Sequence, residues 1–436
     1  MARGKRKETL TPEERLQAAL VPESEQPYKV PGNWCWTFLK PISKIRTGKK
    51  DANYGSVIDG EYPFFTCAAE PIRCHGYSFD CNAILLAGNG DINNISRYNG
   101  EFEAYQRTYV VEIIEPINID YVFYWFKYRW FDFNKDKMFG TAIPYIRLGN
   151  LQEFPIPVPP LAQQQRIVNH IESLFAKLDE AKQKVQDALD SFETRKVAIL
   201  HKAFTGELTA PWRKEHGVGM ESWTSHPLKN VAQIGSGGTP SRKNSQYYLG
   251  NILWIKTGEI YWNYIYDSEE KITEEAIADS SAKLYPAGTV LVAMYGQGLT
   301  RGRAAILGVP ATTNQAVCAL QPCDCLEKRY LYYYFMASYW EYREKAVGGN
   351  QPNYSATMIG KWIINIPSVL EQAEIVRILD DLLAKEQQAK EVAEGVLEQI
   401  DLIKKAILAR AFRGELGTND PSEESAVELL KQILSC

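Results

Sequence analysis

The sequence predicts an α+β protein in which two mixed α/β domains are separated by two long antiparallel helices, paired as a coiled coil and related by a pseudo-twofold repeat. Three observations carry this: a domain-sized internal duplication, a heptad seam in each copy, and short β-rich runs punctuated by turns ahead of each seam. Residues 139–208 align without gaps to 347–416, with Ile167 falling on Ile375 at an offset of 208. A period of that size marks duplicated domains, not the short units of a solenoid. Gly140, Pro144, Pro159, Gln164, Val168, Leu174, Lys177 and Leu189 recur as Gly348, Pro352, Pro367, Gln372, Val376, Leu382, Lys385 and Leu397. The match sharpens over 198–208 and 406–416, which share Ala-Ile-Leu and then Ala-Phe-x-Gly-Glu-Leu. Upstream, Trp34, Leu39, Ile45 and Gly48 face Trp223, Leu228, Ile234 and Gly237 at an offset of 189.

Taken in chain order, residues 1–33 form an N-terminal segment with a short helix. Its Thr11-Pro12-Glu13-Glu14 supplies a cap, a proline at the first helical position and a glutamate at the third. The first α/β domain spans 34–158. Runs such as Thr108–Ile114 here and Val290–Met294 in the second domain have the β-branched, apolar character of strands. The aromatic stretches 121–126 and 330–335 read as helices that bury their rings in the core.

Residues 159–208 form the first long helix. Its seam of Ile167, Ile171, Leu174, Leu178, Ala181, Val185, Ala188, Phe192 and, after a polar interruption at Arg195, Ile199 advances by steps of four and three. A linker, 209–222, leads to the second α/β domain, 223–366, and then to the second long helix, 367–416. That helix carries Ile375, Leu379, Leu382, Val396, Ile400, Ile403 and Ile407, with Glu386 as the break. Pro159-Pro160 precede the first helix, and Ser368-x-x-Glu371 reads as a capping box before the second. At 1.5 Å per residue, ~45 residues make a rod of roughly 65 Å. Its apolar stripe is too narrow to be stable alone, so the other copy is the expected partner; the competing reading packs each helix on its own domain. The tail, 417–436, opens a second short helix at Asp420-Pro421-Ser422-Glu423.

With 436 residues, 45% of them apolar and 23% charged, the chain can build more than one ordinary core. A net charge of −4 and a pI of about 5.9 leave no global basic field, so any nucleic-acid face must be local or completed by a partner. No run approaches the length of a membrane span, and Met1–Lys7 lacks an apolar signal segment, so no membrane partner and a cytoplasmic location are expected. The scattered Cys35, Cys67, Cys74, Cys81, Cys318, Cys323, Cys325 and Cys436 read as free thiols.

Active-site chemistry is sparse. A methyltransferase acting on adenine would show an Asn/Asp-Pro-Pro-aromatic run and a glycine-rich loop after a strand, and neither pairing is present. Gly235–Ser241 is glycine-rich but lacks the Gly-Lys-Ser/Thr ending of a phosphate loop and reads as a flexible turn. Cys67, Cys74, His75 and Cys81 lack the close Cys-x-x-Cys pairs of zinc sites, so no metal is expected. No catalytic residue can be singled out.

The residues Pro159-Pro160-Leu161-Ala162-Gln163-Gln164-Gln165-Arg166-Ile167-Val168, the heptad helix, the Ala-Phe-x-Gly-Glu-Leu endings and the doubled layout together resemble the specificity subunit of a type I restriction-modification system. The segments Ala19–Glu23, Pro31–Trp34 and Gly417–Ser422 extend that resemblance over essentially the whole chain. The resemblance implies a non-catalytic subunit whose two variable parts are target-recognition domains. Each reads one half of a bipartite, asymmetric double-stranded DNA target, while the paired helices set the spacer and dock two methyltransferase (modification) subunits. It further implies restriction/translocase subunits in the full complex and no cofactor on this chain. S-adenosylmethionine belongs to the methyltransferase partner, ATP and Mg to the translocase/nuclease partner. The alternative is a structural scaffold with paired protein-binding domains and no DNA contact.

For DNA contact, arginine suits guanine, amides suit adenine and lysine suits phosphate. The candidates are Arg46, Lys49, Lys50, Arg73, Arg97 and Arg107 in the first domain. In the second they are Arg242, Lys243, Lys256, Arg301, Arg303, Asn314 and Gln315. An ordinary solvated surface role competes at each.

Overall fold

The computed structural model describes residues 10–55, 59–296, 298–345 and 353–435. It has two units, Met1–Val185 with Gly395–Cys436 and Gln186–Glu394, so both boundaries fall inside the long helices Leu161–Phe204 and Val369–Ala411.

The first unit carries a six-stranded sheet in the order Ser43–Thr47, Thr108–Ile113, Phe79–Ala87, Ile95–Ala104, Tyr62–Phe65, Ile72–Cys74. An isolated parallel bridge from Lys50 to Tyr105 joins the segments that follow Ser43–Thr47 and Ile95–Ala104. A separate ribbon pairs Cys35–Phe38 with Pro155–Val158. The second unit has a five-stranded sheet, Ala232–Ser236, Val317–Pro322, Val290–Ala293, Ala304–Leu307, Tyr264–Ile265, and a three-stranded sheet, Glu270–Ile272, Ile252–Ile255, Thr312–Thr313. Its ribbon pairs Thr224–Pro227 with Ile363–Ile366.

The weak upstream repeat is real at the level of register. Ile45 pairs with Val111 and Ile234 with Leu320; the parallel pair Phe64 and Glu103 has its counterpart in Trp254 and Thr312. Both aromatic stretches are helical, Ile119–Asn134 capped by the Asn118 side chain and Lys328–Ala337 capped by that of Glu327. The recurrent Gln164 and Gln372 explain themselves here, because each is buried and holds two structures together. The Gln164 side chain accepts from the Asn118 N–H at 2.8 Å and donates to the Pro159 carbonyl at 3.0 Å; Gln372 does the same to Glu327 and Pro367 at 2.8 and 2.9 Å.

The repeated Ala-Phe-x-Gly-Glu-Leu endings also acquire a reason. Phe412, at the end of the second long helix, is fully buried in the first unit, 4.9 Å from the Trp125 ring and 5.2 Å from that of Tyr121. In the second unit Phe204 meets Tyr330 at 5.0 Å and Tyr334 at 6.0 Å. Gly206 and Gly414 follow at φ +80° and +74°, the left-handed conformation that ends a helix. Each unit therefore contains the start of one long helix and the end of the other.

Pairing of the helices is antiparallel within each unit. In the first, Lys404 bonds Asp179 and Asp401 bonds Lys182, so an advance of three on one helix meets a retreat of three on the other. In the second, Arg195 Nε lies 2.9 Å from Glu386 Oε2: the two polar breaks in the seams answer each other. Of the seam residues, Ile167, Ile171, Phe192, Ile375, Leu379 and Ile400 are buried, Leu174, Leu178, Val185, Ile199, Leu382, Val396 and Ile407 are half-buried, and Ala181 and Ala188 are exposed. Ile403 departs from the seam and stands 46% exposed, since Lys404 takes the inward position, its ammonium 5.0 Å from the Phe175 ring centroid.

The 209–222 linker holds a short helix, Ala210–His216. Other expectations need correction. Ser368 Oγ caps Glu371 N–H as expected, but the Glu371 carboxylate does not return to the cap. It is buried, 2.6 Å from Arg213 Nη1, and accepts from Thr209 Oγ1 and Trp223 Nε1. The Asp420 side chain caps a turn at Ser422, and the last helix starts later, at Ala426. Cys323 and Cys325 are joined by a disulfide, whereas Cys35, Cys67, Cys74, Cys81 and Cys318 are free; Cys436 lies outside the described residues. A Cys-x-Cys spacing on a turn brings the two sulfurs together without any long-range framework.

Candidate nucleic-acid interface

One end of the first unit's sheet gathers several loops. Gln106 N–H donates to the Lys50 carbonyl at 2.9 Å, Gly88 N–H to the Arg107 carbonyl at 2.8 Å, and Gly90 N–H to the Pro144 carbonyl at 2.9 Å. Gly48 makes this possible, because a Cβ there would sit 1.9 Å from the Ala104 carbonyl oxygen. Gly237 does the same against Thr313 at 2.0 Å, and Gly238 would collide with Ala282, so Gly235–Ser241 is a close backbone contact and not a flexible turn.

The exposed Lys49, the partly exposed Lys50 and the exposed Arg107 come together at this end, with Lys50 Nζ 4.3 Å above the Tyr54 ring. Gln106 joins them and donates to Asp51 at 2.9 Å. The other three candidates of this domain are occupied elsewhere. Arg46 pairs with Glu112 at 2.5 Å, Arg73 donates to the Gly60 and Glu61 carbonyls, and Arg97 is held by Asp120 and Asn82.

In the second unit, Asn314 and Gln315 occupy the corresponding turn, and Thr239 Oγ1 donates to Gln315 Oε1. Asn314 spends its side-chain amide oxygen on the Ala316 N–H at 3.0 Å. Arg242 forks onto Glu270 at 2.6 and 3.2 Å and lies 4.1 Å over the Tyr248 ring. Lys256 reaches Glu269 and Glu270 at 2.7 and 3.1 Å. The Arg242 guanidinium, with Lys256 beside it, holds the Glu270 carboxyl below the usual carboxylate range. Lys243 is exposed next to Arg242; Arg301 and Arg303 lie over Tyr354 and Tyr261 at 5.2 and 5.0 Å.

Two candidates escaped the sequence reading. Gln106 is the counterpart of Gln315 at an offset of 209, a signal open to a finer internal alignment. Arg147 lies 3.9 Å over Phe139, beside the hairpin that bridges Phe139 to Tyr145 and Tyr145 to Asn89, and carries Ile143 61% exposed. Nothing in its local sequence distinguishes it.

No group of three or more metal-ligating side chains exists among the described residues, and Cys67, Cys74 and Cys81 have separate neighbours at Arg107, Gly76 and Arg46. No helix among them is long and apolar enough to cross a membrane.

Residues 31–190 and 220–394 match the type I restriction modification DNA specificity domain. The chain is 26% identical to the type I restriction enzyme EcoDI specificity subunit of Escherichia coli, over 93% of this chain and 95% of that protein. It is 32% identical to the MjaIX specificity subunit of Methanocaldococcus jannaschii, over 42% and 44%. Its fold is similar to the HsdS subunit from Thermoanaerobacter tengcongensis, with a TM-score of 0.60 at 19% identity over 90% of this chain and all of that one. A second solved chain, from work on complex assembly and conformational transition of the type I R-M system, gives 0.67 at 21% identity over 89% of this chain and all of that one. Two matched domains on a doubled frame, each ending in the same loop cluster, place the chain in the family of type I restriction-modification specificity subunits, the non-catalytic DNA-recognition components of those systems.

Proposed function

We propose that each α/β domain reads one half of a split, asymmetric DNA target through the loop cluster at its sheet end. One observation carries this: the two clusters share a backbone frame, glycine contact included, but present unlike side chains. Lys50 and Arg107 stand where the second domain has Thr239 and Ala316, while Gln106 and Gln315 coincide. Equal frames with unequal readers suit two different half-sites. The long helices set the spacer and dock two methyltransferase subunits, which supply S-adenosylmethionine; restriction/translocase subunits with ATP and Mg complete the complex. This chain holds no cofactor and works in the cytoplasm.

Methylation mapping by long-read sequencing, in cells carrying the chain with its methyltransferase partner, is expected to show a split motif that vanishes when this chain alone is removed. Methylation unchanged in its absence, with the partner expressed, would defeat the proposal. Insertion of four residues near Ala188 shifts the heptad phase on one helix only and is expected to abolish recognition of the original spacer. The same motif with the same spacer after insertion would rule out the helices as the ruler.

A further inference from the structure

The ribbons of the two units are built alike but covered differently. In the first, Trp36 stands opposite Pro157; in the second, Ser225 stands opposite Asn365. Trp36 is 2% exposed, edge-on to Trp125 at 5.7 Å, and its indole N–H donates to the Tyr28 carbonyl at 3.1 Å. Residues 19–28 cover this ribbon. Val21 N–H donates to the Trp36 carbonyl at 3.0 Å, Leu20 bridges to Thr37, and the Tyr28 hydroxyl reaches the Phe412 carbonyl at 3.2 Å.

The second ribbon has no such cover among the described residues. Thr224, Ser225, Ile363 and Asn365 are exposed, and no described strand pairs with the outer edge of Thr224–Pro227. At the offset of 189, Tyr28 falls on Gly217. Where the first unit holds Trp36 and Tyr28, the second has a cleft of about 520 Å³ lined by Phe204, Tyr334, Tyr342, Trp362 and Asn365. Phe204 and Tyr334 are the counterparts of Phe412 and Trp125, against which Trp36 and Tyr28 pack in the first unit. In an antiparallel pair the N–H and C=O of one residue point to the same side, so Ser225, like Trp36, presents both outward. A free strand edge beside a ring-lined pocket meets the needs of strand addition: backbone bonds for affinity, a side-chain pocket for specificity.

We propose that this edge takes an extended segment of a methyltransferase subunit, which pairs with the Ser225 backbone and seats an aromatic side chain in the cleft. The inference rests on the partners proposed above. A second copy of this chain is the weaker occupant, because the matching segment, 19–28, is already bound within its own first unit.

Hydrogen–deuterium exchange on the full chain, free and assembled with methyltransferase subunits, tests it. The Ser225 amide is expected to exchange about tenfold more slowly in the complex, the protection of one or two backbone hydrogen bonds. S225P removes the outward N–H and leaves the ladder to Ile363–Ile366 intact, while S225W fills the cleft; each is expected to weaken binding of one methyltransferase subunit about tenfold. A formed, methylating complex with Ser225 unprotected overturns this proposal alone. Protection that appears on self-association without methyltransferase overturns it in favour of a second copy. No complex and no split methylated motif would overturn the recognition reading together with this one.

Discussion

Replacing Phe412 with alanine is expected to destabilise the first unit by about 3–5 kcal/mol, the range for deleting a fully buried ring. The ring is enclosed by Tyr121, Trp125 and Tyr128, and its backbone carbonyl receives the Tyr28 hydroxyl, so little can move in to close the gap. Hydrogen exchange in the helix Ile119–Asn134 reads this unit without averaging over the other. Protection there should fall in step with stability, although Phe412 lies far away in sequence. Phe204→Ala in the second unit should cost about half as much, because Phe204 is only partly buried. Unchanged protection of residues 119–134 in F412A would remove the end of the second long helix from the first unit's core.

Glu371→Ala should have a comparable effect on the second unit, about 3–5 kcal/mol, for an electrostatic reason. Glu371 is wholly buried, and Arg213 beside it is 7% exposed; removing the carboxylate leaves a guanidinium in the interior with only the Thr209 hydroxyl and the Gly206 carbonyl for partners. Gln163, the counterpart in the first unit, accepts from Trp34 Nε1 at 2.9 Å as Glu371 does from Trp223, and no arginine faces it because position 213 corresponds to Pro421. E371Q combined with removal of Arg213 should therefore recover most of the loss. Chemical denaturation of E371A, R213A and the double variant gives the coupling; additive losses would show that the pair is not acting as a unit.

Much of the architecture was legible because it is written in local periodicity. Heptad spacing fixes a helix and its sticky face wherever the helix lies, so the seams and their polar breaks at Arg195 and Glu386 could be seen in advance. Their meeting could not, since nothing local says which residue of one helix faces which of the other. The candidates for DNA contact were the least legible. Arginine and lysine look alike in sequence whether they project into solvent or are used at home, and Arg46, Arg73 and Arg97 are used at home.

By itself the sequence determined the duplication, the two long helices and the strand-rich character of the intervening domains. Those follow from spacing and residue type, which do not depend on what lies across the fold. Only the tertiary structure decided that Phe412 completes the first unit and Phe204 the second, that Glu371 binds Arg213 and not its own cap, and that one ribbon is covered while its twin, among the described residues, is open. Each of these depends on which surfaces meet, and the free energy of burying a ring or pairing a charge belongs to the meeting and not to either segment alone.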